Sequence, residues 1–140
     1  MTFDPVNPFD LGKASGFSHG LLAKPGGRVL FVAGQIGVVS GETAIATDDA
    51  SARFIAQFDE ALRRLLRVVA EAGGTASDIG RMTVFVTDMN AYRGSLKALG
   101  AVWKARIGPH YPAMALVAVT SLVEPEAVVE IEATAVIGGA

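Results

Sequence analysis

The sequence predicts an α+β domain in the order β-β-α-β-α-β-β, one mixed sheet with two helices on one face. Three observations carry this. Two apolar stripes recur at helical spacing, one from Phe54 to Ala72 and one from Tyr92 to Ile107. Runs of β-branched residues bounded by glycine and proline lie around them. The final run alternates, with Val129, Ile131, Ala133 and Ala135 on one side and Val128, Glu130, Glu132 and Thr134 on the other.

The elements follow in order. Residues 1–19 hold Pro5, Pro8, Gly12 and Gly16 without a period, and read as an irregular arm. Leu21-Leu22-Ala23 is a short first strand, Pro25-Gly26-Gly27 a turn, and Arg28 to Ile36 a central strand. The turn makes these two strands a hairpin. Residues 37–47 form a loop. Thr47 or Asp48 can cap a helix, and Asp48 and Asp49 suit its positive N-terminus. Its apolar stripe is Phe54, Phe58, Ala61, Leu62, Leu65, Val69 and Ala72. Asp59–Arg63 and Glu60–Arg64 are i,i+4 pairs on its wet side. Gly73-Gly74 ends it.

Arg81 to Thr87 is a third strand. Asp88 or Asn90 caps a second helix whose stripe is Tyr92, Leu96, Leu99, Trp103 and Ile107. Gly108-Pro109 stops it. Pro112 to Thr120 is a fourth strand, with its proline at the start, where a missing N–H is tolerable. Glu124-Pro125-Glu126 turns into the last strand, Val128 to Ile137. The chain is expected to be one domain over residues 1–140.

Each β-α-β step favours a right-handed crossover, with both helices on the same sheet face. The other face then stays open. The central strand RVLFVAGQI is apolar on both sides, so that second face needs cover, and self-association is the simplest source.

Composition narrows the function. The net charge of −2 gives no electrostatic case for nucleic acid. Cysteine is absent, which excludes disulfides and thiolate metal sites. The two histidines, His19 and His110, lie far apart in sequence, so no metal is expected, and no cofactor motif occurs. Gly26-Gly27 is a turn rather than a phosphate loop, since no P-loop pattern follows. No segment reaches the roughly 18 apolar residues needed to span a bilayer. The N-terminus carries acids and prolines where a signal peptide needs a basic, then apolar, run, so a cytoplasmic protein is expected.

Several segments resemble the RidA/YjgF family: Gly16-Phe17-Ser18-His19-Gly20, Val32-Ala33-Gly34-Gln35-Ile36, Thr83-Val84-Phe85-Val86-Thr87-Asp88-Met89, Tyr111-Pro112-Ala113 and Val129 to Ala135. They stand in family order and at family spacing across nearly the whole chain. The resemblance implies a chorismate-mutase-like fold, a barrel-like homotrimer, and small-molecule clefts between subunits. In the deaminating branch those clefts hydrolyse enamines and imines derived from amino acids. An arginine after the Pro-Ala grips the substrate carboxylate, and a glutamate of the last strand handles water.

Carried over by position, the resemblance implies these roles. Phe17 takes the aromatic place of the arm, usually a tyrosine, and lacks its hydroxyl. Ala33 and Gly34 match the Ser-Gly before the glutamine. Leu116 matches a backbone donor of the fourth strand. Glu130 matches the water-positioning glutamate. Met114 stands where the arginine should be. An Arg–carboxylate fork is bidentate and charge-assisted, whereas methionine offers only apolar contact. Such a loss costs on the order of 1.5–3 kcal/mol. A cation from elsewhere, such as Lys24, Arg28, Lys97 or Arg106, is an alternative source.

Other residues admit a plainer reading. Glu130 faces away from the helices and is either functional or an intersubunit ion pair. Glu132, on the same side, reads as an interface or rim charge. His19 could act as a base or donor at neutral pH, or simply be solvated. His110 reads as a rim residue, and Trp103 as core. Three functions stay open: a metal-free deaminase or hydrolase with altered substrate, a non-catalytic metabolite-binding protein, and a structural or regulatory trimer.

Overall fold

The structure, a computed structural model, describes residues 2–38 and 49–138. The elements are β1 (Phe3–Val6), β2 (Gly20–Ala23), β3 (Arg28–Ile36), α1 (Ala50–Glu71), β4 (Ile79–Val86), α2 (Met89–Arg93), α3 (Leu96–Arg106), β5 (Ala113–Ala118) and β6 (Val129–Ile137). Four strands form a mixed sheet in the order β3-β6-β4-β5. The last strand is therefore inserted between the third and fourth, antiparallel to both, while β4 and β5 run parallel. The fold class is the α+β one expected.

Alternation decides what each strand buries. Val129, Ile131, Ala133, Ala135 and Ile137 of β6 are buried with Met82, Val84 and Val86 of β4. They meet Phe54, Phe58, Ala61, Leu62, Leu65 and Val69 of α1, and Leu99 and Trp103 of α3, in one core. The α1 stripe and the core place of Trp103 are as the spacing predicts. Asp49 caps α1, accepting from the N–H groups of Ser51 and Ala52, and Gly73 leaves the helix at φ 85°. Gly41, Thr47 and Asp48 lie outside the described residues.

Three local expectations change. First, β2 does not form a hairpin with β3; it pairs antiparallel with β1, in a separate two-stranded sheet. The arm is thus not irregular throughout. Phe3 is buried against the bare backbone of Gly80, and the Thr2 hydroxyl bonds Asp78, which anchors β1 beside β2. A Gly-Gly turn signals a reversal but not which strand will be the partner.

Second, the second helix breaks in two. Gly94 weakens the helix there, and the buried Ser95 hydroxyl donates to Ala91 O at 2.7 Å. The phase shift leaves Leu96 55% exposed, while Ala91, Leu99, Trp103 and Ile107 are buried. Third, Asp59 pairs with Arg106 of α3 at 2.7 Å, so Glu60 takes both Arg63 and Arg64. Arg64 also donates to Ile36 O and Val38 O, tying α1 to the end of β3.

The other sheet face is open in the single chain. It carries Val29, Phe31, Phe85 and Val117 among Arg81, Thr83, Glu130, Glu132 and Thr134, by register and parity. Phe31 is 80% exposed.

Candidate functional site

The structure gathers the sequence candidates into two groups at opposite edges of the sheet. The first lies along β5, whose outer edge is bridged by the arm at Ser18, paired to Ala113. Ser18 N donates to Pro112 O, and Ser18 Oγ donates to Tyr111 O at 2.7 Å. This bridge brings Phe17 and His19 beside Met114. The three residues line a cavity of about 380 Å³ with Ser18, Arg81, Ala113 and Ala115. His19 packs edge-on to Phe17, their ring centroids 5.1 Å apart. Its Nε2 lies 3.1 Å from Gly12 O and its N–H donates to Asn7 Oδ1. The ring that bonds Gly12 O through Nε2–H keeps Nδ1 as its acceptor when neutral.

Met114 and Leu116 also border a larger groove on the helix side of β5, about 680 Å³, between that strand and α3. Val84, Tyr92, Leu99 and Trp103 are among its lining residues. Both Met114 and Leu116 pack on the core. Val119 N donates to Val86 O, and Pro112 O faces outward to Ser18. Alternation between these two bonds turns the N–H groups of Met114 and Leu116 to the outer edge, which the arm bridges at Ser18 and Ala113. Leu116 is therefore placed to offer a backbone donor.

The second group sits between β3 and β6. The β3–β6 register shifts between Val32 and Gln35, so Ala33 and Gly34 form an irregularity in the ladder. Gln35 Nε2 donates back to Ala33 O. Gly34 lies against the Glu130 side chain, where a β-carbon would clash. Glu130 is half-buried on the open face, and among the described residues no hydrogen bond or ion pair engages its carboxylate.

Within one chain these groups do not meet. Met114 points with Met82 toward the helices, and Glu130 points with Phe85 to the opposite face. Glu132 is exposed in a shallow depression with Phe31, Arg81 and Thr134.

Of the alternative cations, Arg106 is committed to Asp59, and Lys24 lies 3.7 Å from Asp4. Arg28, Lys97 and Lys24 are absent from the cavity beside Phe17. Arg81, read only as the start of a strand, is the cation that reaches it. Its signal was available: it shares the parity of Thr83 and Phe85, opposite the core-facing Met82. His110 lies inward of the rim. Its Nε2 is 2.7 Å from Ile79 O, and its ring stacks on Phe3. Among the described residues no cluster of three His, Asp or Glu could hold a metal. No described helix is long and apolar enough to cross a membrane.

Comparison with known proteins bears on this arrangement. A family model described as endoribonuclease L-PSP matches residues 11–137. A RutC family protein of Haemophilus influenzae is 34% identical over 106 residues, covering 74% of this chain and 80% of the relative. A Yersinia pestis protein of the conserved Rid family, itself of unknown function, superposes with TM-score 0.79 at 28% identity, covering 98% of this chain and 100% of its own. The chain belongs to the RidA/YjgF family. A further solved structure, Escherichia coli TdcF with bound serine, is 28% identical with TM-score 0.64, covering 91% of this chain and 92% of its own. The stretch matched by the family model contains both groups described above, from Phe17 to Glu130.

Proposed function

We propose that the chain acts as a cytoplasmic homotrimer, one domain over residues 1–140, that hydrolyses a small enamine or imine in clefts between copies. The observation that carries this reading is Glu130: a half-buried carboxylate, packed on Gly34 and without a partner among the described residues. A buried or half-buried carboxylate is normally paired, solvated or functional. The open apolar face supports self-association, as do the outer edges of β3 and β5. Bringing the β5 side of one copy to the β3–β6 side of another would join Phe17, His19, Met114 and Leu116 to Ala33, Gly34 and Glu130.

In such a cleft Glu130 takes a proton from water as the water oxygen attacks the C=N carbon. That proton passes to nitrogen to give a carbinolamine; its hydroxyl proton then moves through Glu130 to nitrogen as the C–N bond breaks, and a carbonyl compound and ammonia leave. The outward Leu116 N–H orients the ligand. Phe17 and Met114 bound its apolar part. Met114 occupies the place of the family's carboxylate-binding arginine, so the ligand is not gripped from β5. The serine seen in TdcF supports a small polar metabolite as the kind of ligand. The net charge of −2 lends no support to a ribonuclease.

A second reading is a metabolite-binding or regulatory trimer without turnover. The packing of Met114 and Leu116 on the core favours it, because that side of β5 offers apolar contact rather than chemistry.

The test is ammonia release from freshly generated imines and a panel of small amides, with Glu130→Ala alongside. Release that disappears in the variant supports the hydrolase. Binding without release by the wild type supports the second reading.

A further inference from the structure

We infer that Arg81 is the ligand-binding cation of this cleft and selects a small ligand bearing one negative group. The inference rests on the cleft reading above and adds the residue that sets its charge preference. Arg81 stands near the start of β4, in register with Ala113 of β5 and Thr134 of β6. Parity turns its side chain to the open face, since Met82, Val84 and Val86 are buried toward the helices. There it borders the cavity of about 380 Å³ beside Phe17, Ser18, His19 and Met114.

The Ser18 hydroxyl and the His19 Nε2 of that wall are engaged. Ser18 Oγ is bonded to Tyr111 O, and His19 contacts Gly12 O and Asn7. The guanidinium is not: among the described residues no hydrogen bond or ion pair engages it. Arginine offers a planar fork of donors that matches a carboxylate bidentately. It also keeps its charge throughout the neutral range. One unengaged guanidinium on the wall of a cavity that Phe17 also lines fits a small anion with an apolar body. Glu132 lies in the adjoining depression, which Arg81 also borders, and among the described residues no ion pair joins the two. The grip thus comes from β4 and the open face, in place of the β5 position held by Met114.

The test uses the full chain, with butanoate and its uncharged match butanamide as probes, titrated by protein NMR. Wild type is expected to prefer butanoate by about tenfold or more, the range for a charge-assisted bond. Arg81→Gln should erase that preference while leaving the assembled mass unchanged. Arg81→Lys should keep part of it, and Glu132→Gln should strengthen butanoate binding. No preference in the wild type overturns the inference, as does a preference that survives Arg81→Gln. Loss of the assembled mass in Arg81→Gln also overturns it, assigning Arg81 to an ion pair between copies. Ammonia release reads the hydrolase separately. Arg81-dependent preference without turnover keeps this inference and removes the hydrolase, and turnover indifferent to Arg81→Gln does the reverse.

Discussion

Gly34 lies directly against Glu130: a β-carbon on Gly34 would fall 2.8 Å from Glu130 Cδ and 3.0 Å from its Oε1. The glycine is thus the floor on which the carboxylate rests. Gly34→Ala should push the carboxylate aside, because its methylene arm can rotate while the β3 backbone is held by its ladder. The expected result is a loss of ammonia release of tenfold or more, on the order of 1.4 kcal/mol in barrier. Stability should change by less than about 1 kcal/mol, since the clash is with a flexible side chain. Turnover equal to wild type would separate Gly34 from the work of Glu130.

Phe31 projects from the open face beside Glu132 and Thr134. If copies cover that face, a carboxylate there would be desolvated among apolar neighbours. Phe31→Glu is therefore expected to convert the proposed trimer to monomers in native mass spectrometry, with the circular dichroism of the fold retained. An intact trimer would exclude this face as the interface.

Gln57 is a polar residue buried within the α1 stripe. Its Nε2 donates to Glu126 O and its Oε1 accepts from Val128 N, both at 2.9 Å. It clamps the turn that launches β6 to α1. Gln57→Leu fills the space but strands one carbonyl and one N–H, and should cost about 1–3 kcal/mol in urea denaturation.

Glu60 has a carboxyl held below its ordinary value, first by the Arg63 hydrogen bond and further by the nearby Arg63 and Arg64 charges, against an opposing effect of burial. A carboxyl depressed in the folded state contributes stability above its unfolded value. That contribution is lost as pH falls through the folded value. Glu60→Gln should therefore lower the urea midpoint slightly at pH 7. The gap to wild type should close as the solution is acidified below the carboxylate range. A gap that persists undiminished at low pH would show that the charge is not responsible.

Much of this molecule is readable without coordinates. The stripe from Phe54 to Val69 requires a helix, and the alternation of Val129, Ile131, Ala133 and Ala135 separates the core side of β6 from Glu130 and Glu132. The motif order from Phe17 to Glu130 pointed to the family. Less legible were Phe3, which escaped notice because its burial depends on Gly80, far along the chain, and Asp59, which passes over a neighbour on its own helix for Arg106 on another. The Gly94-Ser95 break was visible as residues but not as a break, since it is the Ser95 hydroxyl's return to Ala91 that marks it.

Periodicity is a local property: it tells which side of an element is apolar, and it placed Glu130 on the open face before any strand had a partner. Pairing is not local. Only the tertiary structure inserts β6 between β3 and β4, rests Glu130 on Gly34, and draws the arm to β5 so that Phe17, His19 and Arg81 surround one cavity. It also sets Met114 and Glu130 on opposite faces of the sheet, because hydrogen-bond register, unlike alternation, joins residues that the chain keeps far apart.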